Sequence, residues 1–294
     1  MKVKFTMSVL ILIFLSACSK CVSAEDIGPM LQRISVNVYC SSSGGGSVQG
    51  SGAIFISEVD GNPAAFVLTA HHVIEDLREV KSVIIDGSTK QIVRYGDAQI
   101  IQEQVEHGRA IGEIKYDAKV LSVDPRRDIA ILRVRKGDFS SVGAKFFLDG
   151  IPAVGTEVFH CGAPGGKDLG GTSSLTSGIV SRIGVRIAGF GGGSEHGIFD
   201  QTDTAALGGS SGGMVTLKSD GRYIGMITLG LQSSDSFHWI VPARAIKEWA
   251  GEIGLMWLLD ETLARPTEDQ IDEIPLELHA KPGTFKSNEP TLTQ

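Results

Sequence analysis

Short β-favouring runs recur along this chain between turn residues, and they fall into two groups. The first comprises ISVNVYC (34–40), GAIFIS (52–57), AAFVLTA (64–70), KSVIIDG (81–87), AKVLSV (118–123) and DIAILRV (128–134). The second includes TEVFHCG (156–162), SGIVSRIGVRI (177–187), GMVTL (213–217), RYIGMITLGL (222–231) and HWIVPA (238–243). Many short strands separated by Gly, Asp, Asn and Ser predict a barrel or sandwich. Residues 136–155 divide the groups, so the expected fold is all-β: two packed six-stranded β-barrels, at about 33–140 and about 150–243. Thirty-seven glycines in 294 residues supply the tight turns such a fold needs.

Outside the strands, ARAIKEWAGEIGLMWLLD (243–260) places Ile246, Trp249, Ile253 and Met256 or Trp257 at helical spacing. This predicts one C-terminal helix with its apolar face on the second barrel. From Glu261 to Gln294 the chain turns polar and proline-rich, which predicts an extended or disordered tail. The formal charge of −7 argues against a protein built to grip nucleic acid or an anionic membrane.

The N-terminus reads as an export signal, with a basic MKVK, an apolar FTMSVLILIFLSA and VSA before Glu25. Two processing routes fit it. One is cleavage after Ala24. The other is a lipoprotein signal over 1–17, since Leu15-Ser16-Ala17-Cys18 resembles a lipobox that would lipidate Cys18. Either route predicts an exported protein, periplasmic, anchored to the outer membrane through Cys18, or secreted. The folded part, expected over 25–260, retains Cys40 and Cys161. An exported pair can form a disulfide, and two buried free thiols are the alternative.

Three short segments carry chemistry. FVLTAHHVIED ends a strand-like run in two histidines, DPRRDIAILRV leads an aspartate into an apolar strand, and GGSSGGMV encloses two serines in glycine. Together they give His72, Asp128 and Ser211 in chain order. A serine hydroxyl becomes a useful nucleophile when a neighbouring imidazole accepts its proton. That imidazole is held in the right tautomer by a buried carboxylate.

These residues resemble the trypsin-like serine proteases, nearest the bacterial Deg or high-temperature-requirement type. The resemblance lies in Thr69-Ala70-His71-His72-Val73, in Asp124-Pro125-Arg126-Arg127-Asp128-Ile129-Ala130, and in Gln201-Thr202-Asp203-Thr204-Ala205 followed by Gly209-Ser210-Ser211-Gly212-Gly213. It covers roughly residues 33–245 and includes SGIVSRIG, at 177–184. It implies a serine endopeptidase with Ser211 as nucleophile, His72 as base then acid, Asp128 as the orienting carboxylate, and no metal or cofactor. His71 is the rival base; the family pattern puts the catalytic histidine directly before valine. The resemblance also implies an oxyanion hole from the N–H groups of Gly209 and Ser211. Protein or peptide substrates follow, and the oligomeric state stays open.

Several features depart from that pattern or refine it. Ser210 is uncharged, so an ion pair with a freed amino terminus is not expected to order the hole. About 50 residues follow Arg244, too few for a peptide-binding PDZ domain. By resemblance, Ala205 and Ala206 lie near the base of the primary pocket and Thr228, Leu229 and Gly230 form its backbone wall. None is acidic, which disfavours Lys or Arg and admits a medium apolar side chain; His238, if it lines the same pocket, would instead favour Glu. FGGGSEHG (190–197) is a candidate mobile loop. His107, His160, His196 and His279 lack paired metal-ligand spacing. Two rival readings remain: a protease-like chaperone or adhesin that holds peptides without cutting them, and an acyl hydrolase. The G-x-S-x-G of an α/β-hydrolase precedes its acid and histidine, and here both come before the serine.

Overall fold

The computed structural model describes residues 24–41, 45–86, 88–135, 142–166, 173–187, 198–230 and 236–278. Helix α1 (Ala24–Ile34) leads into strands β1 (Ser35–Ser41), β2 (Ser47–Val59) and β3 (Asn62–Thr69). A one-turn helix α2 (His71–Ile74) and a 3-10 turn follow, then β4 (Arg78–Ile85), β5 (Ser88–Tyr95), β6 (Ala98–Glu106), β7 (Arg109–Asp124) and β8 (Ile129–Val134). The second half holds β9 (Glu157–Gly162), β10 (Ser174–Arg186), β11 (Ile198–Thr202), β12 (Met214–Leu217), β13 (Tyr223–Gly230) and β14 (His238–Pro242). Two closed barrels result, in the strand orders β1-β2-β3-β8-β7-β6 and β10-β11-β14-β13-β12-β9, with β4-β5 as a separate hairpin.

Local chemistry accounts for the tight connections. Asp60-Gly61 and His107-Gly108 both sit at positive φ, 50° and 73°, then 49° and 75°. They join Val59 to Asn62 and Glu106 to Arg109 across two-residue loops. Positive φ at both central residues is the requirement of a type I′ hairpin turn.

The double barrel is as expected, but two strands were not legible. KSVIIDG lies in the β4–β5 hairpin outside barrel one, and β6 takes the sixth place. AQIIQEQVE reads as too polar for a core strand, yet Gln102 is buried because its Nε2 donates to the Arg33 carbonyl at the end of α1, at 2.8 Å. In barrel two, β11 contains Asp200, which hides its charge by binding Arg244 and the Gly184 N–H.

The C-terminal helix differs from expectation. It is broken into α3 (Ala243–Glu252) and α4 (Met256–Leu259), because Gly254 adopts φ +79°. The Leu255 N–H then reaches back to the Ala250 carbonyl at 2.7 Å, a Schellman-type stop. Nor does it rest on barrel two alone: Ile246 and Trp249 of α3 line a small apolar space with Phe55, Leu68 and Ile131 of barrel one. Trp257 of α4 meets Phe66 edge-on, centroids 5.3 Å apart.

Residues 261–278 also correct the prediction of a loose tail. They wrap barrel one through α5 (Glu268–Asp272), which Thr267 and Gln270 start with a capping box. Arg133 pairs with Glu268, and Leu276 and Leu278 exchange backbone hydrogen bonds with Val123 at 2.9 Å. Glu277 accepts from Arg78 at 2.6 and 3.1 Å and from the Tyr95 hydroxyl at 2.8 Å. Polar composition misled because a few residues, Glu268 and Glu277 paired with arginines and Ile271 buried, suffice to hold the segment down while its other carboxylates face solvent. Cys40 and Cys161 are free and buried, and burial pushes both thiols up to about 12. Cys18, the leader over 1–23, the 190–197 loop and residues 279–294 lie outside the described residues.

The barrels dock through an aromatic cluster. Phe146, in the connection between them, stands 4.8 Å from both Phe55 of β2 and Tyr223 of β13, centroid to centroid. This apolar contact joins a strand of each barrel through the connection between them.

Candidate active site

His72 lies in α2, directly after β3. Its ring Nδ1 is 2.9 Å from Asp128 Oδ2, and its backbone N–H donates to Asp128 Oδ1, also at 2.9 Å. Burial alone would lower its pKa, but the Asp128 hydrogen bond and charge, with Glu75, raise it above the ordinary 6.5. Some 37% of the His72 side chain stays exposed while Asp128 is nearly covered, at 4%. His71, the rival base, points inward: it is 7% exposed, its backbone N–H donates to the Asp128 carbonyl, and burial lowers its pKa.

Asp128 is held in an unusual conformation, φ +58°. Non-glycine residues rarely occupy this region, so the turn must enforce it. Asp124, fully buried, accepts the N–H groups of Arg126 and Arg127 at 2.9 and 3.3 Å and the Arg127 guanidinium at 2.6 Å. Arg127 reaches on to Glu252 of α3, at 2.7 and 3.2 Å. The aspartate turn is thereby clamped to the C-terminal helix.

Barrel two contributes twice. Thr228 is the bulged residue of β13, where the register with β14 shifts, and its hydroxyl donates a short hydrogen bond to Asp128 Oδ2. A bulge re-aims a side chain in this way. The Gly208–Gly213 loop brings Ser211. Gly209 and Gly212 sit at φ +94° and +82°, and a Cβ at Gly212 would fall 2.2 Å from the Ser51 carbonyl and 2.9 Å from the Ala70 nitrogen. The chain beside Ser211 is therefore pressed against the residues that lead into His71 and His72. The N–H groups of Ser210, Gly212 and Gly213 donate to Leu207, Ile227 and Ser210 carbonyls. Those of Gly209 and Ser211 have no acceptor among the described residues, as an anion hole requires.

Ser51 escaped the sequence reading. Its N–H donates to the Ser211 carbonyl at 2.7 Å, and its Oγ donates to the Gly209 carbonyl at 2.7 Å while accepting the Ala163 N–H at 2.8 Å. Fully buried, it ties barrel one to both sides of the serine loop. The available signal was Gly50-Ser51-Gly52 inside a strand: Cβ atoms at Gly50 and Gly52 would lie 2.4 and 2.6 Å from Val73 and Val67 methyls.

Of the expected pocket residues, Ala205 is exposed and its carbonyl accepts from Thr176 at 2.9 Å. Leu229 is half-buried and Gly230 exposed, pairing with Trp239 and His238 of β14. Thr228 is buried, and its side chain serves Asp128. Among the described residues no group of three or more His, Cys, Asp or Glu side chains is placed to hold a metal ion.

Two closed six-stranded barrels, with a His–Asp pair on one and a glycine-framed serine loop on the other, define the trypsin-like class. The family model described as "Trypsin-like peptidase domain" matches residues 50–226, and the chain belongs to that family. It is 28% identical over 210 residues to "Serine protease Do-like HtrA" of Bacillus subtilis, covering 70% of this chain and 39% of that one. It is 29% identical over 223 residues to "Probable periplasmic serine endoprotease DegP-like" of Brucella suis, covering 76% of this chain and 33% of that one. Its relatives are thus of the Deg/HtrA type, and it spans only 33% to 39% of their length. The solved structure of an "HtrA-type protease AlgW with tripeptide" superposes with a TM-score of 0.54 at 21% identity, over 81% of this chain and 64% of that one. A serine endoprotease from Yersinia pestis gives 0.53 at 22%, over 82% and 68%. Both likenesses establish the fold.

Proposed function

We propose that this protein is a serine endopeptidase that cuts proteins or peptides through an acyl-enzyme on Ser211. In this reading, Ser211 Oγ attacks the substrate carbonyl carbon as His72 Nε2 takes its proton. Asp128 accepts the Nδ1–H and stabilises the imidazolium. The N–H groups of Gly209 and Ser211 receive the negative oxygen, His72 returns the proton to the leaving amine, and water repeats the sequence to release the acid. The substrate strand pairs with the edge at 228–230 by main-chain hydrogen bonds. The peptidase unit runs from residue 25 through the helices at 243–259 and is strapped by 261–278. Export follows from the apolar leader, with Cys18 as a lipid anchor.

The observation that carries this reading is the pair of hydrogen bonds from His72 to Asp128, with Thr228 donating to the same carboxylate. Unfolded casein incubated with the purified protein, beside Ser211→Ala, tests it by mass spectrometry of the products. Cleavage by the wild type alone supports it. A folded wild type that neither cuts casein nor takes a fluorophosphonate on Ser211 points to the peptide-holding alternative.

A further inference from the structure

Arg127 holds its charge between acids from different parts of the fold. On its inner side, Nη1 stands 2.6 Å from Oδ2 of Asp124, which is fully buried in the turn that ends at Asp128. On its outer side, Nη1 and Nη2 donate to the two oxygens of Glu252 at 3.2 and 2.7 Å, and Nη2 lies 3.5 Å from Glu248. Glu252 is the last residue of α3, and Glu248 stands one turn before it. Local rules count against both acids. Like charges four residues apart on a helix repel, and a negative charge at a helix C-terminus opposes the dipole. Arg127 supplies the cation that offsets both penalties. The helix cannot shift to meet the arginine, because Ile246, Trp249 and Ala250 fasten it to the core.

The inner contact matters because of what the turn presents. A carboxylate taken wholly out of water needs a paired cation, so Asp124 keeps its place through Arg127. Asp124 in turn accepts the N–H groups of Arg126 and Arg127 and shapes the turn that leaves Asp128 at φ +58°. From that conformation Asp128 offers its carbonyl to the His71 N–H and its two carboxylate oxygens to the His72 N–H and ring. An aspartate relaxed to negative φ would aim its carboxylate elsewhere. Helix α3 follows β14 directly, whereas Asp124 and Asp128 stand where β7 passes into β8. The contact therefore runs from an extension of barrel two to the acid of barrel one.

We propose that Arg127 is a positioning residue for the triad: gripped from outside by Glu252, it holds the Asp124 turn in the shape that keeps Asp128 on His72. The C-terminal helix thereby sets the base that serves Ser211. The proposal rests on the endopeptidase reading above.

The test is the rate at which a fluorophosphonate labels Ser211, followed against pH in the wild type, Arg127→Gln and Glu252→Ala, each checked for folding by its melting transition. In the wild type the rate should rise through a pKa above 6.5, as His72 becomes the neutral base. In Arg127→Gln the plateau should fall about tenfold to a hundredfold, the scale of a small misplacement. Its limb should also move down in pH, because the imidazolium loses its hydrogen-bonded carboxylate. Simple removal of a positive charge would move the limb up instead. Should the glutamine variant not fold, Arg127→Lys replaces it, since lysine keeps a charge on Asp124 and loses the planar fork. In Glu252→Ala, where Asp124 stays paired, the plateau should fall about twofold to fivefold.

A folded Arg127 variant with the wild-type plateau and limb overturns the proposal, and so does a limb that moves up. An unchanged plateau in folded Glu252→Ala overturns the part given to the helix. Failure of Ser211 to label in the wild type is a different result: the endopeptidase reading falls, and the positioning role with it.

Discussion

Asp128 holds His72 at two points, one oxygen on the backbone N–H and the other on ring Nδ1, each at 2.9 Å. The imidazole can neither rotate nor change tautomer without breaking one of these bonds. The second oxygen is shared with Thr228 from the other barrel, so the pair is complete only when the barrels are docked.

This sharing makes Thr228→Val informative. The raised His72 pKa means that the neutral base forms only as pH rises above 6.5, and kcat/KM should climb through that higher value. Removing the Thr228 donor leaves the Asp128 charge less satisfied, so the limb should move further up in pH. Loss of a hydrogen bond to a charged group is worth about 1.5–3 kcal/mol, or about 10- to 150-fold at neutral pH. A pH–rate profile on one peptide substrate reads both effects.

Ser51→Ala should separate catalysis from folding. It deletes the Oγ bonds to the Gly209 carbonyl and the Ala163 N–H while keeping the Ser51 backbone bond to Ser211. With the Gly209 peptide released, kcat should fall by about 10²-fold, the scale of a weakened oxyanion hole. The folded state should lose only about 1–2 kcal/mol. Single-turnover acylation and urea denaturation measure the two.

Glu277→Ala should show that the strap is structural. The side chain is 8% exposed and serves both Arg78 and Tyr95, so its loss leaves a half-buried guanidinium and a phenol unpaired. Stability should fall by about 1–3 kcal/mol, less than for a fully buried pair because Arg78 is 28% exposed. The midpoint of urea unfolding checks this, and residues 261–278 should become sensitive to added protease.

His160 should govern acid stability. Its folded-state pKa of about 4, set mainly by burial, lies below the ordinary 6.5. The unfolded chain therefore binds a proton first as pH falls. Stability is full above about 6.5 and declines towards pH 4, by up to about 3 kcal/mol. Melting temperatures across that window should drop in the wild type, with a shallower slope in His160→Gln.

Much of this molecule was legible because local rules wrote it. Short β-favouring runs separated by turn residues, with an excess of glycine, declared two β-barrels. The order of His72, Asp128 and Ser211 named the candidate site. Other parts were hidden for one reason: their residues look wrong until a distant partner is present. Gln102 belongs in a core strand only because α1 offers a carbonyl, and residues 261–278 are ordered only because barrel one supplies Arg133 and the Val123 backbone and the β4–β5 hairpin supplies Arg78.

From sequence alone came the elements, their grouping and the residue types able to do the chemistry, since these depend on periodicity, turn propensity and spelling. Tertiary structure alone decided that Asp128 grips His72 at both its backbone and its ring, and that Ser51 and Thr228 join the site from opposite barrels. It also decided that the long helix breaks at Gly254. Hydrogen bonds between residues 100 or 158 positions apart are set by how the barrels dock, and no local pattern encodes that distance.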